Sequence, residues 1–256
     1  MKKLMLMLVV GLLVAGSAQA APVNDWSLNE SPILGGTTAA VDSVSGDDGV
    51  YSDYGVTPAT GRPGGDGGAK FDGNTGGVGA NAAAHTAAEI SNSTLVMWFK
   101  ADSGSLSGER WLYNEASGVA IVYGLSTVGT SLRFNTIGST GFDGLFHTAT
   151  LAEGQWYMAA AVMDAGGAGK TLYLWDGTNL TSVSNAGVQD ITSDNTEVGI
   201  GNVVNHGAGR WDGELDDVQF YNHSMTAGEV ANLIPEPATM ALLGLGSLAM
   251  LRRKKA

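Results

Sequence analysis

From residue 94 to residue 221 short apolar or β-branched runs alternate with turn residues, and no helical stretch is long enough to cross over between parallel strands. The runs at 94–100 (TLVMWFK), 118–123, 131–135, 155–162, 170–175, 180–183, 197–201 and 215–221 read as strands. The first is apolar almost throughout and is expected to be buried on both faces. The run at 170–175 ends on Asp176-Gly177, a hairpin dipeptide, with 180–183 as its return strand. One helix is expected, at 226–233, where Thr226 and Glu229 stand at the two ends of a capping box. Upstream, the segment 61–68 (GRPGGDGG) is too rich in glycine and proline for any element interior, and it leads into a short strand at 69–73. Strands without crossover helices make antiparallel sheets. The expected class is therefore all-β, an antiparallel β-sandwich or jelly roll.

Cysteine is absent, which removes disulfides, cysteine-based zinc sites and thiol catalysis together. The formal charge is −12, against nucleic acid as a partner, since phosphate binding needs a basic surface. Lys2, Lys3, Arg252, Arg253, Lys254 and Lys255 are 6 of the 13 basic residues. Without them and Glu236, 7 basic residues face 24 acidic ones. Such a surface repels anionic lipid and attracts cations.

The two ends differ from the middle. Residues 1–20 have a charged start, an apolar run at 4–16 and then Ala18-Gln19-Ala20, the pattern of a secretory signal peptide cut between Ala20 and Ala21. The run is too short to span a bilayer. At the other end Pro235-Glu236-Pro237 precedes an apolar run at 238–251 and the cluster Arg252, Arg253, Lys254, Lys255, the chemistry of a stop-transfer segment. As a helix this run would reach roughly 21 Å, short of a hydrocarbon core of about 30 Å, and Gly244 and Gly246 weaken it further. A transient membrane anchor is expected. In this order the pieces resemble the PEP-CTERM sorting tail of Gram-negative bacteria. That resemblance implies export, a stage of inner-membrane insertion, removal of the tail by an exosortase, and residence at the cell surface or in an exopolysaccharide matrix. The chain thus divides into a signal peptide (1–20), a single β-sandwich domain (21–233) and a sorting tail with a hydrophobic helix (234–256).

The middle, read in order, resembles a LamG-like, concanavalin A-like jelly roll. The stretches that carry the resemblance are 26–30 (WSLNE), 70–73 (KFDG), 97–100 (MWFK), 154–157 (GQWY), 172–177 and the closing 209–221 (GRWDGELDDVQFY). The resemblance implies a sandwich that serves lectins, adhesion modules and some glycosidases, so the fold leaves the activity open.

An enzyme of this architecture would place alternating carboxylates on one strand. Glu214 and Asp216 share a face, but the third position falls on Val218 or Gln219, and no proton donor for a leaving oxygen remains. His85, His147, His206 and His223 form no metal-ligand spacing, and there is no G-x-S-x-G elbow. A non-catalytic protein is expected. Calcium is the favoured cofactor, with Asp42, Asp47 and Asp48 of the loop DSVSGDDG and Asp216 and Asp217 near the chain's end as candidate ligands. The resemblance brings that loop and the closing strand to one edge. Trp26, Trp98, Trp156 and Trp211 are expected in the core. Trp111, Tyr113 and Trp175, placed beside turn residues, are the candidates for stacking on a polysaccharide or surface glycan. A polysaccharide hydrolase or lyase and a purely structural matrix protein are the rival readings.

Overall fold

The alternating runs pair into antiparallel strands throughout. The computed structural model describes residues 20–235, apart from 32, 35–36, 53–54, 81–82, 118–119, 139–140, 165, 167, 187–190, 192–193 and 203–208. Most of the signal segment and the tail beyond Pro235 lie outside the described residues. Six short strands come first: β1 (Asn24–Trp26), β2 (Ala39–Ala40), β3 (Gly49–Ser52), β4 (Val56–Ala59), β5 (Gly68–Asp72) and β6 (Gly77–Ala80). After the short helix α1 (Ala87–Ile90) come β7 (Thr94–Ala101), β8 (Glu109–Ser117), β9 (Ala120–Val128), β10 (Ser131–Gly138) and β11 (Gly141–Thr150). The chain then forms β12 (Trp156–Met163), β13 (Gly169–Trp175), β14 (Leu180–Ala186), β15 (Glu197–Ile200), β16 (Asp212–Tyr221) and the helix α2 (Ala227–Asn232).

Two sheets of eight strands result. The first runs β14-β13-β12-β7-β16-β5-β4, with β1 also paired to β16; the second runs β11-β10-β9-β8-β15-β6-β3-β2. Between them lies the core, built from inward residues such as Trp26, Phe71, Phe99, Tyr123, Phe134, Trp211 and Phe220. This layering is the sandwich expected from the strand pattern.

β7 is buried on both faces for two separate reasons. Leu95, Met97 and Phe99 point between the sheets. Val96 and Trp98 point outward, into a second apolar cluster with Met158, Ala160, Val162, Tyr221, Met225 and Val230 of α2. The capping box fixes α2 there: the Thr226 hydroxyl takes the Glu229 N–H, and the Glu229 carboxylate takes the Thr226 N–H. The same box, Thr86 with Glu89, starts α1, an element not expected from the sequence.

A polar chain threads the core beside β1. Glu115, with no exposed surface, accepts the Tyr113 hydroxyl at 2.8 Å and the Asn195 amide at 3.0 Å. His85 stacks on Phe220 with centroids 3.6 Å apart, and its Nδ1 lies 2.8 Å from Glu115 Oε1. Its Nε2 lies 2.9 Å from Asn24 Oδ1, while Asn24 Nδ2 donates to Asp42 Oδ2 at 2.7 Å. Since the Asn24 oxygen can only accept, the His85 Nε2–H donates to it.

Candidate functional site

The outer face of the first sheet gathers aromatic and charged side chains that the core does not use. Strand register sets it out in rows. One row crosses Trp175, Met158, Trp98 and Asp216; the next crosses Trp156, Lys100, Glu214 and Lys70. The helix α2 covers one part of this face. Trp156, Tyr173, Trp175 and Leu180 pack at the margin of that cover, only partly buried.

Charges are paired closely over these rings. Lys100 Nζ sits 2.6 Å from Glu214 Oε1 and 5.2 Å from the centre of the Trp156 ring. The Arg62 guanidinium lies 5.0 Å over Trp98, with Nε 2.6 Å from Asp217 Oδ2. Trp98 meets Trp175 edge-on, centroids 5.2 Å apart. Lys70 pairs with Asp102 at 2.6 Å.

Asp216 is fully buried, and the glycine-rich segment 61–68 is the reason. The Arg62 N–H donates to Asp216 Oδ2 at 2.8 Å, and a Cβ at Gly61 or Gly65 would stand 2.6 or 3.0 Å from that oxygen. The segment needs glycine to approach so closely. Asp216 Oδ1 and Glu214 Oε2 accept no hydrogen bond among the described residues. Burial pushes the Asp216 carboxyl up to about 7, and the Asp217 charge adds to this against the pull of the Arg62 N–H.

A bulge breaks the alternation of β16. Asp217 takes a φ of 45°, and the pairing with β7 shifts between Asp216 and Gln219. Val218 consequently turns into the core, while Gln219 stays outside and donates to Asp25 Oδ1 at 3.3 Å. The third position of the carboxylate row is therefore Gln219, next to Asp25 of β1.

The five aspartates considered for calcium do not form one coordination shell. Asp42 is buried and accepts from the backbone of Asp25 (3.0 Å), Val44 (3.0 Å) and Ser45 (3.2 Å), and from the side chains of Asn24 and Ser45. Burial pushes its carboxyl up, but these bonds outweigh it and hold the group below the ordinary carboxylate range. Asp48 accepts the Asp42 N–H and Asp47 the Ser45 hydroxyl, so the loop closes on itself. The strand β1 lies between this loop and Asp216-Asp217, pairing with β16 and bridging through Trp26 to Asp42. Among the described residues no group of three His, Asp or Glu is placed to hold a metal ion. A cavity of about 200 Å³ next to the loop is lined by Asn24, Ser45, Asp47, His85 and Glu89, whose polar atoms largely bond to one another or to the core chain.

The aromatic expectations need correction. Trp111 is 7% exposed and Tyr113 has no exposed surface, because both lie within β8 rather than in a loop. Gly209 lies against the Trp111 ring, and Tyr113 is spent on Glu115. Trp175 does lie at the open margin. Trp156, expected in the core, joins it, since its register partner is the outward Lys100. Nothing in the local sequence shows that pairing.

A model of the concanavalin A-like lectin/glucanases superfamily matches residues 72–231, and a PEP-CTERM protein-sorting motif matches residues 233–255, which implies export and surface association. No curated protein matches the sequence. Among solved structures, domain 4 of AbnA, a GH43 extracellular arabinanase from Geobacillus stearothermophilus, in complex with arabinotriose, is similar at 16% identity and a TM-score of 0.62, covering 85% of this chain and all of that one. The receptor-binding domain of botulinum neurotoxin type G is similar at 13% identity and a TM-score of 0.58, over 82% of this chain. The serotype D ligand-binding domain, in complex with N-acetylneuraminic acid, is similar at 11% identity and a TM-score of 0.59, over 83% of this chain. This chain spans about half the length of the neurotoxin domains. Among the described residues no helix is long and apolar enough to cross a membrane. With more than half of its length matched by the family model and two antiparallel sheets in face-to-face layers, the chain belongs to the concanavalin A-like lectin/glucanases superfamily.

Proposed function

We propose that the protein is an exported, non-catalytic glycan-binding module that acts at the cell surface or in its polysaccharide matrix. One observation carries the reading: the outer face of the first sheet keeps Trp156, Tyr173 and Trp175 at an open margin beside α2, next to densely paired charges. Flat rings stack on the C–H faces of sugars, and polar groups at their edge fix orientation. The sugars named with two of the similar structures support the same class of ligand. Export proceeds through the signal peptide. The tail holds the chain in the inner membrane until an exosortase acts at Pro235-Glu236-Pro237. Calcium binding at the acidic loop of Asp42, Asp47 and Asp48 is a separate part of this proposal, supported by the acidic composition of the domain.

The test is retention of the full chain, kept soluble in mild detergent, on immobilised polysaccharides. Trp175→Ala and Trp156→Ala should each abolish retention while circular dichroism stays unchanged. Retention of both variants at the wild-type level would remove the reading.

A hydrolase is the second reading, favoured by one observation. Asp216 holds a proton up to about pH 7 beside Glu214, and a protonated carboxyl next to a second carboxylate is what a two-carboxylate mechanism needs. Against it, Asp216 lies under the glycine segment with its Oδ2 already occupied. Release of reducing ends, lost in Glu214→Gln, would establish this reading instead.

A further inference from the structure

We infer that the occupant of the aromatic face is an uncharged, hydroxyl-rich glycan segment, and that glycans bearing uronate or sulfate are excluded by the charge arrangement of that face. The inference rests on the binding reading above. It follows from how the cations there are used. Arg62 is paired with Asp217, Lys100 with Glu214, and Lys70 with Asp102. Two further carboxyl groups, Asp25 and Asp212, lie along or beside β16. Asp212 feels the cations Arg110 and Lys70 but also the like charges of Asp102 and Asp72, and its carboxyl is raised by burial first and by the Asp102 charge next.

An anionic sugar meeting this face finds Arg62, Lys70 and Lys100 each already engaged at 2.6 Å, and it must displace an acid to pair with any of the three. Juxtaposed like charges cost several kcal/mol in a partly buried interface. A sugar hydroxyl faces the opposite situation. Glu214 Oε2 has no donor among the described residues, and an acceptor left without a donor favours a hydroxyl over an anion. The ring stack with Trp156 and Trp175 is indifferent to charge, so the carboxylates decide the class.

Titration calorimetry on the full chain in mild detergent, at low salt, with two oligosaccharide series tests this: neutral arabino-, xylo- and gluco-oligosaccharides, and galacturonate and alginate oligosaccharides. The expected result is a neutral ligand bound at least about tenfold tighter than any uronate ligand, with little dependence on salt. Asp102→Asn releases Lys70 without touching the core or the rings. It should raise uronate affinity several-fold and leave neutral binding as it was. Uronate binding tighter than neutral binding in the wild type, or no uronate gain in Asp102→Asn, overturns the inference while leaving glycan binding intact. Binding of neither series removes the binding reading itself.

Discussion

Replacing Asp216 by Asn removes a carboxyl whose charge the fold opposes, and the consequence appears in the pH dependence of stability. Folded Asp216 releases its proton at about 7, against 3.8 for the exposed group. The difference is about 3 units, or about 4 kcal/mol at 1.36 kcal/mol per unit, an order-of-magnitude figure. The sign follows from which state loses its proton first. The unfolded chain ionises Asp216 from about pH 4 upward and the folded chain does not, so unfolding is favoured as pH rises. Stability from this group is fully present below pH 3.8 and is lost as pH rises through about 7. Asn has no such dependence, but its buried amide lacks partners of its own, at a cost of about 1–3 kcal/mol that does not vary with pH. Comparing raw stabilities therefore mixes two effects, and comparing slopes separates them. Urea unfolding of both proteins, followed by tryptophan fluorescence at pH 4, 6 and 8, should show the variant gaining on the wild type by about 2–4 kcal/mol between the ends of the range. Titrating groups that do not interact with Asp216 cancel in that difference. Parallel stability curves would refute the burial argument for Asp216.

Further outcomes follow from the same structure. His85→Leu leaves Glu115 as a buried carboxyl without its proton partner, and should cost about 3–5 kcal/mol in urea midpoint analysis, whereas a loss under 1 kcal/mol would mean the pair is solvated. Trp111→Ala should cost about 3–5 kcal/mol and leave glycan retention per folded molecule unchanged, the reverse of Trp175→Ala. Replacing Pro235 and Pro237 by Ala should trap the chain in the inner membrane with the sandwich folded, read by intact mass and fractionation; a mature surface form still carrying residues 252–256 would contradict the sorting role. Melting curves in millimolar calcium and in EDTA decide the proposal that the acidic loop binds calcium: a rise lost in Asp47→Ala supports it, and superimposed curves end it.

Much of the fold was legible because local chemistry and global structure agree. Residues 170–183 form a hairpin as the Asp176-Gly177 pair requires: Asp176 Oδ1 takes the N–H groups of Thr178 and Asn179, and Gly177 supplies a φ of 95°. The capping box at Thr226 sets the start of α2 for the same reason, and the equivalent Thr86–Glu89 box starts α1, where no apolar periodicity accompanies it. Other features depend on distant residues. Trp111 looks like a loop aromatic beside Gly108, Glu109 and Arg110, until the backbone at Arg210 bridges to it and covers the ring. The run 156–163 is apolar on both faces, so sequence cannot say which residues the core takes. Its outer residues are apolar because α2, some sixty residues later, covers part of them and leaves Trp156 at the margin. The Asp217 bulge likewise defeats a strict alternation count, since it turns Val218 inward and moves the third polar position to Gln219.

The glycan-binding claim is tested most directly by the indole N–H resonances of the six tryptophans during titration with a neutral oligosaccharide. Trp26 and Trp211 are fully buried in the core, and Trp111 lies in the second sheet, so all three serve as internal controls. The account predicts that the Trp156 and Trp175 signals move with the ligand and saturate together, while those of Trp26, Trp111 and Trp211 stay in place. Saturable binding that moves the Trp111 signal and leaves Trp156 and Trp175 unmoved would contradict it.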